Sequence, residues 1–120
     1  MRNKTALIAA SRADESRALI DWLALNDVDT QTADSGHGAI ERMRRDAPDI
    51  VLAQLAMDEM SGLRLAHYLK AHGGLRDVPV ILLCQNEREM SLVKAQWPAF
   101  IFEAPVNPAL ISELKRELVG

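Results

Sequence analysis

The chain has 120 residues, is 48% hydrophobic, and carries a formal net charge of -3 with acidic and basic residues interspersed. That length supports one compact core and is short for two ordinary domains, so a single domain over residues 1–120 is expected. The dispersed charge gives no basic face for nucleic acid or an anionic membrane. A lone cysteine, Cys84, excludes an internal disulfide. The N-terminus lacks the layout of a signal peptide, and the longest apolar runs, such as Val78 to Cys84, fall far short of the ~20 residues of a membrane helix. A soluble, cytoplasmic protein is the expectation.

The first element, "TALIAA", is a short continuous apolar run of the kind that forms a strand covered on both faces. A helix is predicted in "SRADESRALIDWLALND", with Ala18, Leu19, Trp22 and Leu23 recurring at helical spacing and Ser11 with Asp14 as a capping box. "VDTQTA" is polar enough for an edge strand. "DSGHGAIERMRRDAP" then offers Asp34 or Ser35 as cap and Ala39, Ile40 and Met43 as the inner face. "DIVLA" reads as the most central strand. It leads into a Met-rich loop and the helix "SGLRLAHYLKAHGG", where Leu65, Ala66 and Leu69 share a face and Gly73-Gly74 stops the run.

"VPVILLC" is a fourth strand, "NEREMSLVKAQ" a short helix and "FIF" a brief fifth strand. The last helix, "NPALISELKREL", takes Asn107 as cap, Pro108 in its first turn and a Leu110, Ile111, Leu114, Leu118 stripe. Alternating strands and helices, with strands that are mostly uninterrupted apolar runs, imply a doubly wound α/β fold: a five-stranded parallel sheet in the order 2-1-3-4-5 with helices on both faces. In this flavodoxin-like architecture chemistry gathers at the carboxyl ends of the strands.

Those ends hold Ala9, Ala10, Ser11 and Arg12 after the first strand, and Gln54 after the third. Cys84 and Gln85 follow the fourth, and Glu103, Ala104 and Pro105 the fifth. Only one carboxylate, Glu103, stands among them, whereas Mg²⁺ needs one or two carboxylates in near-octahedral geometry. No metal and no cofactor is therefore expected.

Several segments resemble the receiver domain of two-component response regulators over nearly the whole chain. They are "PDIVLAQ", the "MDEMSGLRLAHYLK" loop and helix, "RDVPVILL" and "APVNPALISELK". The resemblance implies a CheY-like fold and assigns roles by position. The phosphoacceptor aspartate falls on Gln54 and the metal-binding acids on Ala10 and Ser11, with a possible register shift of one residue toward Arg12. The switch hydroxyl falls on Cys84, the switch aromatic on Ile101 and the lysine on Ala104. Pro105 alone keeps the family's residue, and Asp58-Glu59 replaces the usual Pro-Gly of the loop. An amide is no phosphoryl acceptor, and these side chains cannot assemble the family's Mg²⁺ site. The implied module is a non-enzymatic pseudo-receiver that signals without phosphorylation, through contacts with a histidine kinase, a regulator or a second copy of itself.

Trp97, Phe100, Phe102 and Pro105 are the expected partner-binding residues, with core filling as the alternative. Arg12 is an anion-binding candidate beside a structural salt bridge with Asp14, Glu15 or Glu103. Cys84, with no basic neighbour in sequence, reads as an inert core thiol. His37, His67 and His72 fit no zinc spacing. Two rival functions stay open: small-ligand sensing, for example of a nucleotide second messenger through Arg12 or Arg42, Arg44 and Arg45, and phosphorylation by an unusual route through Asp58.

Overall fold

The computed structural model describes residues 3–11, 16–57, 59–95, 101–103 and 108–119, with backbone only for 101–103 and 119. In chain order it contains β1 (Lys4–Ala9), α1 (Arg17–Leu25), β2 (Val28–Ala33), α2 (Gly36–Arg45), β3 (Ile50–Gln54) and α3 (Gly62–Ala71). There follow β4 (Val80–Cys84), α4 (Glu87–Lys94), β5 (Ile101–Glu103) and α5 (Pro108–Leu114), which runs on into a π-helical turn at Lys115–Val119. The strands pair in parallel in the order β2-β1-β3-β4-β5. Ile101–Glu103 is the shortest, and its register sets Leu82 opposite Ile101 and Cys84 opposite Glu103.

The uninterrupted apolar strands are two interleaved faces of period two. Ala6, Ile8, Ala10, Ile50, Leu52, Ile81 and Leu83 point to the side covered by Leu19 and Leu23 of α1 and Leu110 and Leu114 of α5. Leu7, Ala9, Val51, Ala53, Val80 and Leu82 point to the side covered by Ala39 and Met43 of α2 and Leu65, Ala66 and Leu69 of α3. Most of these side chains are at or below 2% exposure, and each large one contributes about 1.5–3 kcal/mol on burial. Alternation is hidden in the sequence because both faces are dry.

Local chemistry ends the elements. Ser35, Ser61 and Asn86 accept from the backbone N–H of Gly38, Arg64 and Glu89, and so cap α2, α3 and α4. The Asp49 carboxylate takes the Thr5 N–H at 2.7 Å while the Asp49 N–H donates to the Thr5 carbonyl, clipping the entry of β3 to β1. Lys70 Nζ donates to the carbonyls of Arg76 and Val78 and ties down the segment that leads into β4.

The N-terminus of α1 departs from expectation. The helix begins at Arg17, with Ser16 in the N-cap position making no side-chain cap bond, so Ser11 is not its cap; Asp14 lies outside the described residues. Ser11 belongs instead to the strand-end loop, where its N–H has another partner. Ala18, expected on the inner face, is exposed, and Trp22 packs only partly against the core. Asn107, expected to cap the last helix, lies outside the described residues; Pro108 does occupy the first helical position.

Gly62 is required by contact. A Cβ there would collide with the Gln54 carbonyl and crowd Leu55, all backbone, whereas a Cβ at Gly36 would meet only the Met60 side chain, at 2.8 Å. Gly62→Ala is therefore expected to lower stability by about 1–3 kcal/mol or more, and Gly36→Ala by less, since only the Met60 side chain and no backbone atom must give way there. Urea unfolding of the two variants checks the order; equal losses would contradict it.

Candidate functional site at the carboxyl ends of the strands

Parallel winding brings the ends of β1, β3, β4 and β5 to one edge of the sheet, at the switch point between β1 and β3. Ala10 is 6% exposed, its methyl group packs with the α1-side core, and its N–H donates to the Ala33 carbonyl at 2.9 Å. Ser11, next along, is exposed, and its backbone N–H donates to Gln54 Oε1 at 3.0 Å. Gln54 is half-buried and thus joins the end of β3 to the loop after β1 across 43 residues of sequence.

The backbone around Gln54 is equally fixed. The Leu55 N–H donates to the Leu83 carbonyl, and the Gly62 N–H returns to the Leu55 carbonyl. The loop between them is therefore pinned at both ends, with α3 starting beneath it. Glu59 holds a positive φ of 68° and stands exposed, 3.9 Å from His37 Nε2, as a solvated pair at the rim. This agrees with reading Glu59 as a surface residue; Asp58 lies outside the described residues.

Cys84 is fully buried at the end of β4. Burial, and secondarily the charge of Glu89, push its thiol up from 9.0 to about 11. Glu89 earns its position through the helix start: its N–H donates to Asn86 Oδ1 and its carboxylate accepts from the Gln85 N–H at 3.0 Å. Asn86 and Glu89 form the pattern of a capping box that sequence reasoning passed over, although Asn-x-x-Glu ahead of an apolar residue was there to be read.

Other candidates sit elsewhere or beyond the described residues. Arg12, Trp97, Phe100, Ala104 and Pro105 lie outside them, as do the side chains of Ile101, Phe102 and Glu103. Arg42, Arg44 and Arg45 occupy the last turn of α2, at the opposite edge of the sheet. His37, His67 and His72 are all exposed. Among the described residues no grouping of three or more His, Cys, Asp or Glu could hold a metal ion, and no helix is long and apolar enough to cross a membrane.

Chemically, the described part of the edge offers an amide, a backbone donor already engaged, a methyl group and a protonated thiol. It presents polar groups that recognise one another.

This arrangement can be set beside known proteins. Residues 7–98 match the family model of the response regulator receiver domain. No curated protein matches the sequence closely enough to count as a relative. Among solved structures, the signal receiver domain of a histidine kinase from Syntrophus aciditrophicus is 28% identical, with a TM-score of 0.84 over 98% of this chain and 91% of that one. A sensor protein from Polaromonas is 23% identical, with a TM-score of 0.83 over 98% of each chain. The chemotaxis response regulator CheY4 of Vibrio cholerae is 18% identical, with a TM-score of 0.82 over 98% of this chain and all of that one. These last two likenesses speak to the fold, and the family match, which takes in most of the chain and the strands β3 and β4 that carry Gln54 and Cys84, speaks to descent: the chain belongs to the response regulator receiver domain family.

Proposed function

We propose that this chain is a pseudo-receiver, a single domain that transmits signals by protein contacts and without accepting phosphate. The observation that carries the reading is the hydrogen bond from the Ser11 N–H to Gln54 Oε1. In the family, the strand end at Gln54 bears the aspartate that attacks a phosphoryl donor. A carboxamide has no anionic oxygen to attack with, and here its carbonyl oxygen is already engaged by the backbone.

The divalent cation that the family uses for phosphoryl transfer does not fit these residues. Ala10 has no side-chain donor and its methyl group is buried in the core; the Gln54 amide oxygen accepts from the Ser11 N–H. A hard cation at this edge would lack the carboxylate oxygens that such ions select, and no step of the function is routed through one. Ala104, at the lysine position, supplies no ammonium to read a phosphate.

With phosphorylation set aside, receiver domains still meet histidine kinases and other proteins of two-component systems, and this chain is assigned the same class of partner. Trp97, Phe100 and Phe102, aromatic anchors before and along β5 in sequence, and Pro105 after it are the proposed contact residues. Any change of shape then comes from differential affinity of a partner for two conformations. The site has neither a hydroxyl at Cys84 nor an aromatic ring at Ile101 with which to sense phosphate.

Incubation with acetyl phosphate and Mg²⁺, followed by intact-mass measurement, is expected to leave both the wild type and Gln54→Asp without a phosphoryl adduct. An adduct on the wild type would end the proposal. An adduct on Gln54→Asp alone would show that the cation site survives after all.

The partner reading has its own check. Affinity capture with wild type and Trp97→Ala as baits should return a two-component protein that the variant loses; a partner retained equally by both excludes Trp97 as an anchor.

Cys84 is expected to take no redox part. Iodoacetamide at neutral pH should label the native chain at least about tenfold more slowly than the unfolded one, because the buried thiol stays protonated. Its raised value also means that the protonated thiol favours the folded state fully below pH 9.0, and that this contribution is lost as pH rises toward about 11. Cys84→Ala should lack that alkaline loss. Equal labelling rates would overturn the burial argument.

A further inference from the structure

The edge of the sheet opposite the strand ends carries a second concavity, between the last turns of α2 and α3. It is an open depression of about 580 Å³. Met43 and Leu75 close it from behind, almost wholly buried at 2% and 8% exposure. Its wall is a flat aromatic pair, the Tyr68 ring stacked on the His72 imidazole with centroids 3.9 Å apart and planes inclined by 26°. His72 Nδ1 lies 2.8 Å from the Tyr68 carbonyl, which can only accept, so Nδ1 carries the proton and Nε2 is left for another partner.

Two further features give the groove a polar end. Arg44 lines it, is exposed and has no ion pair, and no carboxylate is among the described lining residues. Gly73 and Gly74 line it as well. A Cβ at either would meet no heavy atom within 4 Å, and neither has the positive φ that demands glycine. Neither crowding nor strain therefore requires glycine there. What two glycines do provide is uncovered backbone, and their N–H groups donate to no described residue. The carbonyl ends of the two helices disfavour an anion, but α2 offsets its own with Arg42, Arg44 and Arg45 in one turn, and α3 bears Lys70.

We propose that this groove binds a mononucleotide. The base lies against the Tyr68–His72 pair; the phosphate is held by the Arg44 guanidinium and the Gly73 and Gly74 N–H groups. A guanidinium suits phosphate through its planar fork of donors, and glycine lets the backbone approach it. The site is separate from the strand ends and does not depend on whether the chain is phosphorylated.

The test is an NMR titration of the ¹⁵N-labelled chain with AMP, GMP, adenosine and inorganic phosphate in separate arms. Saturable shifts confined to Met43–Ala47 and Tyr68–Leu75, with a Kd at or below about 1 mM for AMP or GMP, are expected. Adenosine and phosphate alone should each bind at least about tenfold more weakly. Arg44→Gln and Gly74→Ala, neither of which disturbs a packed atom, should each weaken the nucleotide by about tenfold while leaving the rest of the spectrum in place. The proposal is overturned by absence of saturable shifts, by shifts centred on Ser11 and Gln54, or by affinity indifferent to both substitutions. Phosphate binding as tightly as the nucleotides would equally overturn it, by assigning the groove to the free anion. Any of these failures leaves the pseudo-receiver reading intact.

Discussion

Burial of β1 and β3 on both faces is the constraint from which the rest follows. Leu7 and Ile8 in one strand and Val51 and Leu52 in the other are each at most 2% exposed, yet neighbours along a strand face opposite sides. Two strands so placed need helices above and below, and only crossover connections deliver parallel neighbours with helices on both sides. The switch point between them, and therefore the position of Gln54 beside Ser11, is a result of that packing. Removing the burial would remove the site with it.

Why was so much of this fold legible? Most strands announced themselves by an apolar run, β2 by its polar alternation, and each central helix by a stripe that the structure does bury: Ala39 and Met43, Leu65, Ala66 and Leu69, Leu110 and Leu114. The failures cluster where side-chain polarity carried two meanings. Ser11 looked like a cap because serine before an apolar repeat often is one, but its backbone was claimed by Gln54 from 43 residues away, a partnership no local window can show. Ala18 has helical spacing yet faces outward, since a methyl group is compatible with either side of a helix.

The strand-end residues themselves could be named from the sequence, because strand ends are positions in a pattern. Their relations could not. That Gln54 grips the Ser11 backbone, that Cys84 is fully enclosed, and that Glu89 folds back to Gln85 are facts of three-dimensional placement. Together they change the meaning of the lost aspartate. A bare substitution would leave a hole lined by unsatisfied donors, each a cost of about 1–3 kcal/mol if buried. Here the longer amide reaches the Ser11 donor and satisfies it.

The strand order also governs what the chain exposes as it leaves the ribosome. Once Gln54 has emerged, β2, β1 and β3 can pair, but the far edge of β3 waits for β4 through the 25 residues from 55 to 79. At ordinary synthesis rates that wait is on the order of one to five seconds. During it a strand with no charged side chain between Ile50 and Gln54 presents an open edge. A nascent partner in hydrogen bonding is welcome at such an edge, including the same strand of a neighbouring chain. The sheet that is best sealed when finished is thus most adhesive when three strands old.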